Sequence, residues 1–180
     1  MGIEASYRRL PPEEFQRLLD DPARADAYFG YDIDEDDDDG VDAYYDRLNA
    51  SNRYLDIDKS WHGLHFLLTG EAARYETQVP PPLGNVVLGG TPSEWDATYG
   101  VVRYLTPQEV KDVAGALEQI SETELRRRYT PQAFQTADIY PGGEVWDETV
   151  IEELLKVFNK VRDFFVAAKR DGEVVLLSSD

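Results

Sequence analysis

The 180-residue sequence contains no cysteine, which excludes disulfide bonds, thiolate nucleophiles and cysteine-based metal sites. It has no apolar run near the roughly 20 residues of a membrane span, and its start does not have the pattern of a signal peptide. Phosphate loops, dinucleotide fingerprints, nucleophile elbows and zinc-protease motifs do not occur. These absences predict a cytoplasmic protein that has no cofactor and no bound metal and does not associate with membranes.

Basic residues are scarce relative to acidic ones. The chain has 18 Lys and Arg against 36 Asp and Glu, which gives a formal net charge of −18. Nine of the acids lie between Asp32 and Asp46, where no base occurs, and the rest of the chain still has 27 acids against 18 bases. Such a field repels nucleic-acid phosphates and attracts basic proteins. We therefore expect no nucleic-acid partner, and a basic protein as the partner.

The densest acidic run predicts an exposed surface for that partner. Its candidate partner-binding residues are Asp34, Glu35, Asp36, Asp37, Asp38 and Asp39. Self-repulsion favours a flexible, solvated loop over 32–42 or a polar helix start. From Glu35 to Asp46 the run also resembles part of a calcium loop, but its first, eighth and twelfth positions carry the wrong residue types. The solvated surface is therefore the preferred interpretation, and cation binding is the alternative.

The most structured stretch runs from Leu55 to Gly70. Leu55 to Asp58 alternates apolar and acidic residues, which predicts a short half-buried strand. A buried helix should follow, because four apolar residues recur at helical spacing: Trp61, Leu64, Leu67 and Leu68. Asp58 or Ser60 is placed to cap the helix start, and Gly70 is placed to end it.

The same stretch holds both histidines of the chain and the candidate catalytic residues. His62 and His65 lie one helical turn apart, just after Asp56 and Asp58. Two imidazoles and a carboxylate could bind a metal or act as general acid and base. The structural alternative places His65 in the core and gives Asp58 a capping role. The catalytic candidates are therefore His62, Asp58 and His65, with a structural role preferred.

Several motifs resemble one known family. The run from Trp61 to Gly70, WHGLHFLLTG, is similar to the Trp-x-x-Leu-His-x-Leu-Leu-Thr-Gly signature of the YfbM-like family of small bacterial proteins. Further matching pieces follow the family's order: Met1 to Ile3, Leu88 to Gly90, Tyr99 to Val110, Ile139 to Pro141, and Trp146-Asp147. Val101-Val102 and the residues before Trp146 depart from the pattern. The resemblance implies a compact α+β domain, and it brings no established activity or catalytic residues.

Local patterns predict one α+β domain over 1–180, a small mixed or antiparallel sheet packed by three main helices. Strands are expected near Ile3, Leu55, Val101 and Val174. The unbroken apolar run from Val174 to Leu177 suits a buried position in the sheet. The three main helices are the central one, one after the capping box Thr106–Glu109, and a long C-terminal helix from Asp147. A second capping box at Thr91–Glu94 predicts a brief helix that contains Trp95.

Aromatic residues in or beside loops suggest a ligand site. The candidate ligand-binding residues, expected to form a shallow cleft near His62, are Tyr99, Arg103, Tyr140, Trp146 and Trp61. The alternative is that these rings only cover the edge of the sheet.

Two functional classes follow from these patterns. The first is a non-catalytic binding protein whose acidic surface engages a basic protein, as an inhibitor or immunity protein does. The second is an enzyme that uses His62 and Asp58 on a small substrate. The extreme charge and the lack of catalytic motifs favour binding.

Overall fold

The computed structural model describes residues 2–34, 36–74 and 79–180, which form an antiparallel sheet with helices on both faces. The strands are β1 (Ala5–Leu10), β2 (Tyr54–Asp56), β3 (Thr91–Ala97), β4 (Gly100–Leu105) and β5 (Val174–Ser179). The α-helices are α1 (Pro12–Asp20), α2 (Pro22–Phe29), α3 (Asp38–Ala50), α4 (Trp61–Thr69), α5 (Pro107–Glu118), α6 (Glu122–Arg128), α7 (Pro131–Thr136) and α8 (Val150–Asp171). Short 3₁₀ helices lie at Asp58–Ser60, Leu83–Val86 and Gly143–Val145. The predicted α+β class is confirmed.

The last strand of the chain occupies the centre of the sheet. The strand order is β2-β1-β5-β4-β3, and each neighbouring pair is antiparallel. Leu176 of β5 lies opposite Arg8 on one side and Tyr104 on the other. The unbroken apolar run from Val174 to Leu177 is buried throughout, as predicted. A strand covered on both faces has no polar side, so its sequence does not alternate.

Each face of the sheet has its own apolar core, because successive side chains of a strand point to opposite faces. Val175 and Leu177 pack on the side that holds α4, α5 and α8, the three main helices predicted from the sequence. Val174 and Leu176 pack on the other side, with residues of α1 and α2 that include Phe29. The sheet is therefore a central layer between two groups of helices.

The strongest local signals are realised as predicted. Thr106 and Glu109 form a capping box at the start of α5, and Glu109 accepts the Thr106 backbone N–H at 2.8 Å. Helix α8, which carries the predicted apolar stripe, is 22 residues long and ends at Gly172 in the left-handed conformation. In the part of the chain that the structure describes, no helix combines the length and the apolar run needed to cross a bilayer.

The helix expected around Trp95 is wrong, because the segment forms β3 instead. It pairs with β4 in a hairpin, with Ala97 opposite Gly100. The Ser93 hydroxyl donates to the Val102 carbonyl at 2.6 Å instead of capping a helix. β3 is an edge strand, where a proline such as Pro92 is tolerated although it lacks an N–H. Cross-strand pairing therefore outweighs the local capping pattern.

The acidic run is partly helical. Helix α3 begins at Asp38, and the Asp37 side chain accepts the Gly40 backbone N–H at 3.2 Å. Residues 38–42 thus belong to a helix and not to the flexible loop expected over 32–42. The polar helix start, the other alternative, describes this part of the run. Carboxylates in the first turn of a helix are favourable because they face its positive end.

Candidate functional site

Helix α4 places both histidines inside the protein. Its sequence is apolar on nearly all sides, and the side chains of His62 and His65 are both 0% exposed. A helix that is apolar all round is typical of a core position. Gly70 ends the helix in the left-handed conformation, as predicted. The imidazoles therefore have no access to solvent, whereas a catalytic group or a metal ligand normally has such access.

His62 is fixed by the loop that precedes Trp146. The Tyr140 backbone N–H donates to Nδ1 of His62 at 2.9 Å, so the neutral ring carries its proton on Nε2. Trp61 stacks on His62, with ring centroids 4.8 Å apart, and on Tyr140, at 5.6 Å. The Tyr140 hydroxyl accepts the Ile3 backbone N–H at 2.8 Å, which ties this cluster to the N-terminal segment.

Burial also makes the histidines weak bases. Desolvation lowers the pKa of His62 to about 4, and the positive charge of Arg74 acts in the same direction. The Ala73 carbonyl and Asp138 oppose this decrease only in part. The pKa of His65 is also lowered to about 4, first by burial and then by neighbouring His62. Both rings are therefore neutral at pH 7.

The buried imidazole of His65 has no hydrogen-bond partner among the described residues. Neither of its ring nitrogens has a partner among residues 2–34, 36–74 and 79–180. A buried polar group without a partner costs about 1–3 kcal/mol. This energetic cost makes His65 an informative position for a stability measurement.

Asp58 lies outside this cluster. It is exposed at a left-handed turn with φ 48°. Its side chain accepts a hydrogen bond from the backbone N–H of the next residue, Lys59, at 2.7 Å. Asp56 in turn accepts the Asp58 N–H at 2.7 Å. Ser60 makes no side-chain cap at the start of α4, so neither predicted capping residue caps it. No hydrogen bond or ion pair joins Asp58 to His62 within the described ranges, and those ranges contain no group of three or more potential metal ligands.

The five aromatic-cleft residues fall into two groups. Trp61, Tyr140 and Trp146 gather around α4, and Trp146 is buried, with Nε1 donating to the Ile139 carbonyl at 2.8 Å. Tyr99 and Arg103 instead line a separate surface cleft of about 400 Å³ between β4 and the segment before β3. There the Arg103 guanidinium donates to two backbone carbonyls, at 3.0 and 2.7 Å.

A glycine on α4 makes the Trp146 packing possible. A Cβ on Gly63 would lie 2.5 Å from the Trp146 ring and 3.2 Å from Leu154, so Gly63→Ala should lower the free energy of unfolding by about 1–3 kcal/mol through overpacking. Gly115→Ala on α5 is the matched control. No atom lies within 4 Å of its added Cβ, and alanine should stabilise that helix by up to about 1 kcal/mol. Urea unfolding measures both, and equal effects would contradict this packing.

The acidic candidates lie on an exposed surface. Glu35 is outside the described residues, and the other acids between Asp32 and Asp46 are all exposed. None of these described acids forms an ion pair with a described residue, whereas acids elsewhere often do. Asp38, Asp42 and Asp46 are four residues apart on α3, so they share one face of that helix. We define the acidic segment as residues 32–46; its described acids are a concentrated charge without ion-pair partners among the described residues.

One feature is not apparent in the sequence. A cleft of about 390 Å³ is lined by five arginines from β1, α2, α3 and the segment before β2: Arg8, Arg9, Arg24, Arg47 and Arg53. These residues span 46 positions of the chain, so no local cluster points to them. The only sequence signal is the adjacent pair Arg8-Arg9 in a strand of an acidic protein. We refer to this feature as the arginine cleft.

The basic triplet on α6 has a different role. Arg126 pairs with Glu152 and Arg128 pairs with Glu124, so these two arginines compensate charge within the protein. Exposed pairs of this kind contribute little to stability, because water and salt screen them.

Comparison with known proteins gives a family and a fold. Over residues 1–178 the chain matches the family described as a domain of unknown function, DUF1877. Protein YfbM of Escherichia coli strain K12 is 35% identical over 102 residues, which is 57% of this chain and 59% of that protein. The aligned part thus spans less than two thirds of that relative.

A solved structure has the same fold. The crystal structure of a protein of unknown function, YfbM from Escherichia coli, matches with a TM-score of 0.66 and 22% identity, over 97% of this chain and 98% of that chain. At this identity the match concerns the fold alone. The resemblance to YfbM-like proteins is therefore confirmed, and the chain belongs to the DUF1877 family, whose function is unknown.

Proposed function

We propose that this protein is a non-catalytic binding protein of the cytoplasm whose acidic segment engages a basic protein, in the manner of an inhibitor or an immunity protein. The observation that carries the proposal is the exposed charge of the described acids between Asp32 and Asp46, which form no ion pair with a described residue. Like charges held this close repel one another, and a basic partner relieves that repulsion. Charge complementarity of this kind mainly increases the association rate and the selectivity.

Exposed aromatic side chains beside the acids support a protein partner over simple cations. Tyr45 of α3 is 50% exposed and lies three residues from Asp42, on the same side of the helix. Tyr31, which precedes the acidic segment, is 48% exposed. Tyrosine is enriched in protein interfaces because its ring supplies apolar area and its hydroxyl supplies a hydrogen bond.

The enzymatic alternative has less support from the geometry. His62 and His65 are both fully buried, and His62 already accepts a hydrogen bond from the Tyr140 backbone. A substrate could reach either ring only if the surrounding core opened. Asp58, the carboxylate proposed to act with His62, is exposed and engaged in a local turn.

The test compares two variants with the same change in charge. One replaces Asp36, Asp38, Asp42 and Asp46 by asparagine. The control changes four exposed acids outside the acidic segment to their amides. These acids form no ion pair with a described residue: Asp26, Glu71, Glu94 and Glu148. A partner captured on the wild type would be purified, and its dissociation constant measured with all three proteins at about 50 and about 300 mM salt.

We expect the acidic-segment variant to bind at least about tenfold more weakly and the control variant to bind as the wild type does. The wild-type affinity should also fall as the salt concentration rises. Failure to capture any basic protein, equal affinities for the two variants, or an affinity that does not depend on salt would each refute the proposal.

A further inference from the structure

The arginine cleft concentrates positive charge in a strongly acidic protein. Its five arginines line one concave space of about 390 Å³, within the size range of small-molecule pockets. The net charge of the chain is −18, so the average field at its surface repels anions. Five guanidinium groups in one cleft therefore need a local explanation.

Three of the arginines are neutralised and held in place by carboxylates. Arg9 contacts Asp171 at 2.8 Å and Glu173 at 2.6 Å, and Arg53 contacts Glu173 at 2.9 Å. Arg24 pairs with Glu14, another lining residue, at 2.9 Å. These five arginines face three carboxylates, and Glu14 and Asp171 also pair with Arg17 and Arg170 outside the lining. Among the described residues, at least two positive charges of the cleft therefore remain uncompensated.

The two remaining charges belong to Arg8 and Arg47, neither of which forms an ion pair with a described residue. Arg8 donates from Nη1 to the Tyr28 carbonyl at 2.9 Å, while its buried Nε has no acceptor in the described ranges. Its guanidinium lies against aromatic rings that include Phe29, at 5.0 Å, and Tyr44, at 5.8 Å. The Arg47 guanidinium also lies against the Tyr44 ring, 5.5 Å from its centre. The rings hold these guanidinium groups without neutralising them.

We propose that the arginine cleft binds a phosphate monoester of a small organic molecule. A phosphate monoester carries a charge of about −1.5 to −2 at pH 7, which matches the two uncompensated arginines. The planar guanidinium donates two parallel hydrogen bonds to phosphate oxygens. The other lining residues include Leu10, Ala27 and Leu48, which suit an apolar body attached to the phosphate. This site is independent of the proposed protein partner.

The test uses phenyl phosphate as the probe and isothermal titration as the measurement. Phenyl sulfate has a similar shape but one negative charge, and inorganic phosphate has the charge without the apolar body. The wild type should bind phenyl phosphate at least about tenfold more tightly than either compound. Equal affinity for phenyl sulfate would refute the need for a dianion, and equal affinity for inorganic phosphate would refute the organic body.

Arg47→Gln tests the location of the site with little risk to the fold, because Arg47 is exposed and its guanidinium lies against the Tyr44 ring. Arg127→Gln on α6 is the control, since it removes the same charge from an exposed arginine outside the cleft. We expect about a tenfold loss of phenyl phosphate affinity for Arg47→Gln and no change for Arg127→Gln. No binding to the wild type, or the same affinity for both variants, would overturn the proposal.

Discussion

Replacing Glu173 by glutamine should lower the free energy of unfolding by about 3 kcal/mol. The Glu173 carboxylate is 1% exposed and forms ion pairs with Arg9 and Arg53. Arg9 is itself 7% exposed, so the substitution leaves a buried positive charge with less compensation. Asp171 still contacts Arg9 at 2.8 Å, which keeps the expected loss at the lower end of the range for a broken buried pair.

An exposed pair supplies the control for this measurement. Arg162 and Asp163 are 3.1 Å apart, and the Asp163 side chain is 72% exposed. Asp163→Asn should therefore change the free energy of unfolding by less than about 0.5 kcal/mol. Urea unfolding at pH 7 measures both variants. Similar effects of the two substitutions would mean that burial does not strengthen the Glu173 interactions.

The sequence predicted the elements whose signals are local and repeated. The capping box at Thr106 has both of its reciprocal hydrogen bonds, and the apolar stripe of α8 persists over about six turns. The apolar run at Val174 predicted a buried strand because no polar residue interrupts it. In each case the same preference is expressed over several successive residues, and tertiary contacts then agree with it.

The failures occur where distant residues decide the structure. Thr91 to Glu94 has the local pattern of a helix start, yet the segment pairs with the neighbouring strand β4. The backbone hydrogen bonds to β4 outweigh those that a brief helix would form. The arginine cleft depends on β1 lying next to α2 and α3, a placement that no local pattern specifies. The sequence pattern predicts the helix that carries both histidines. Their complete burial depends on α8 and on the loop around Tyr140, which no local pattern specifies.

The two histidines should make the protein unstable in mild acid. Each has a pKa lowered from 6.5 to about 4 in the folded protein, with burial as the main cause. Between these values the unfolded chain binds protons that the folded chain does not, so the free energy of unfolding decreases as the pH falls. The stabilisation is complete above about pH 6.5 and is lost as the pH falls from there to about 4. Over this range each ring lowers the free energy of unfolding by on the order of 3 kcal/mol.

Other groups also titrate in this range, so the contribution of one histidine must be isolated. Neutralising carboxylates reduces the repulsion within a chain of net charge −18, which acts in the opposite direction. His65→Leu removes one buried imidazole whose nitrogens have no partner among the described residues, and leucine fills a similar space. At pH 7 its free energy of unfolding should be equal to that of the wild type or up to about 1 kcal/mol higher.

The informative quantity is the change in this difference with pH. From pH 7 to pH 4.5 the wild type should lose about 2–3 kcal/mol more than His65→Leu, since the carboxylates titrate alike in both proteins. Urea unfolding at about six pH values across this range measures the difference. A constant difference between the two proteins would mean that His65 is protonated as easily in the folded state as in the unfolded state. The core around α4 would then be open to water, and a catalytic role for the histidines of this helix would become compatible with the structure.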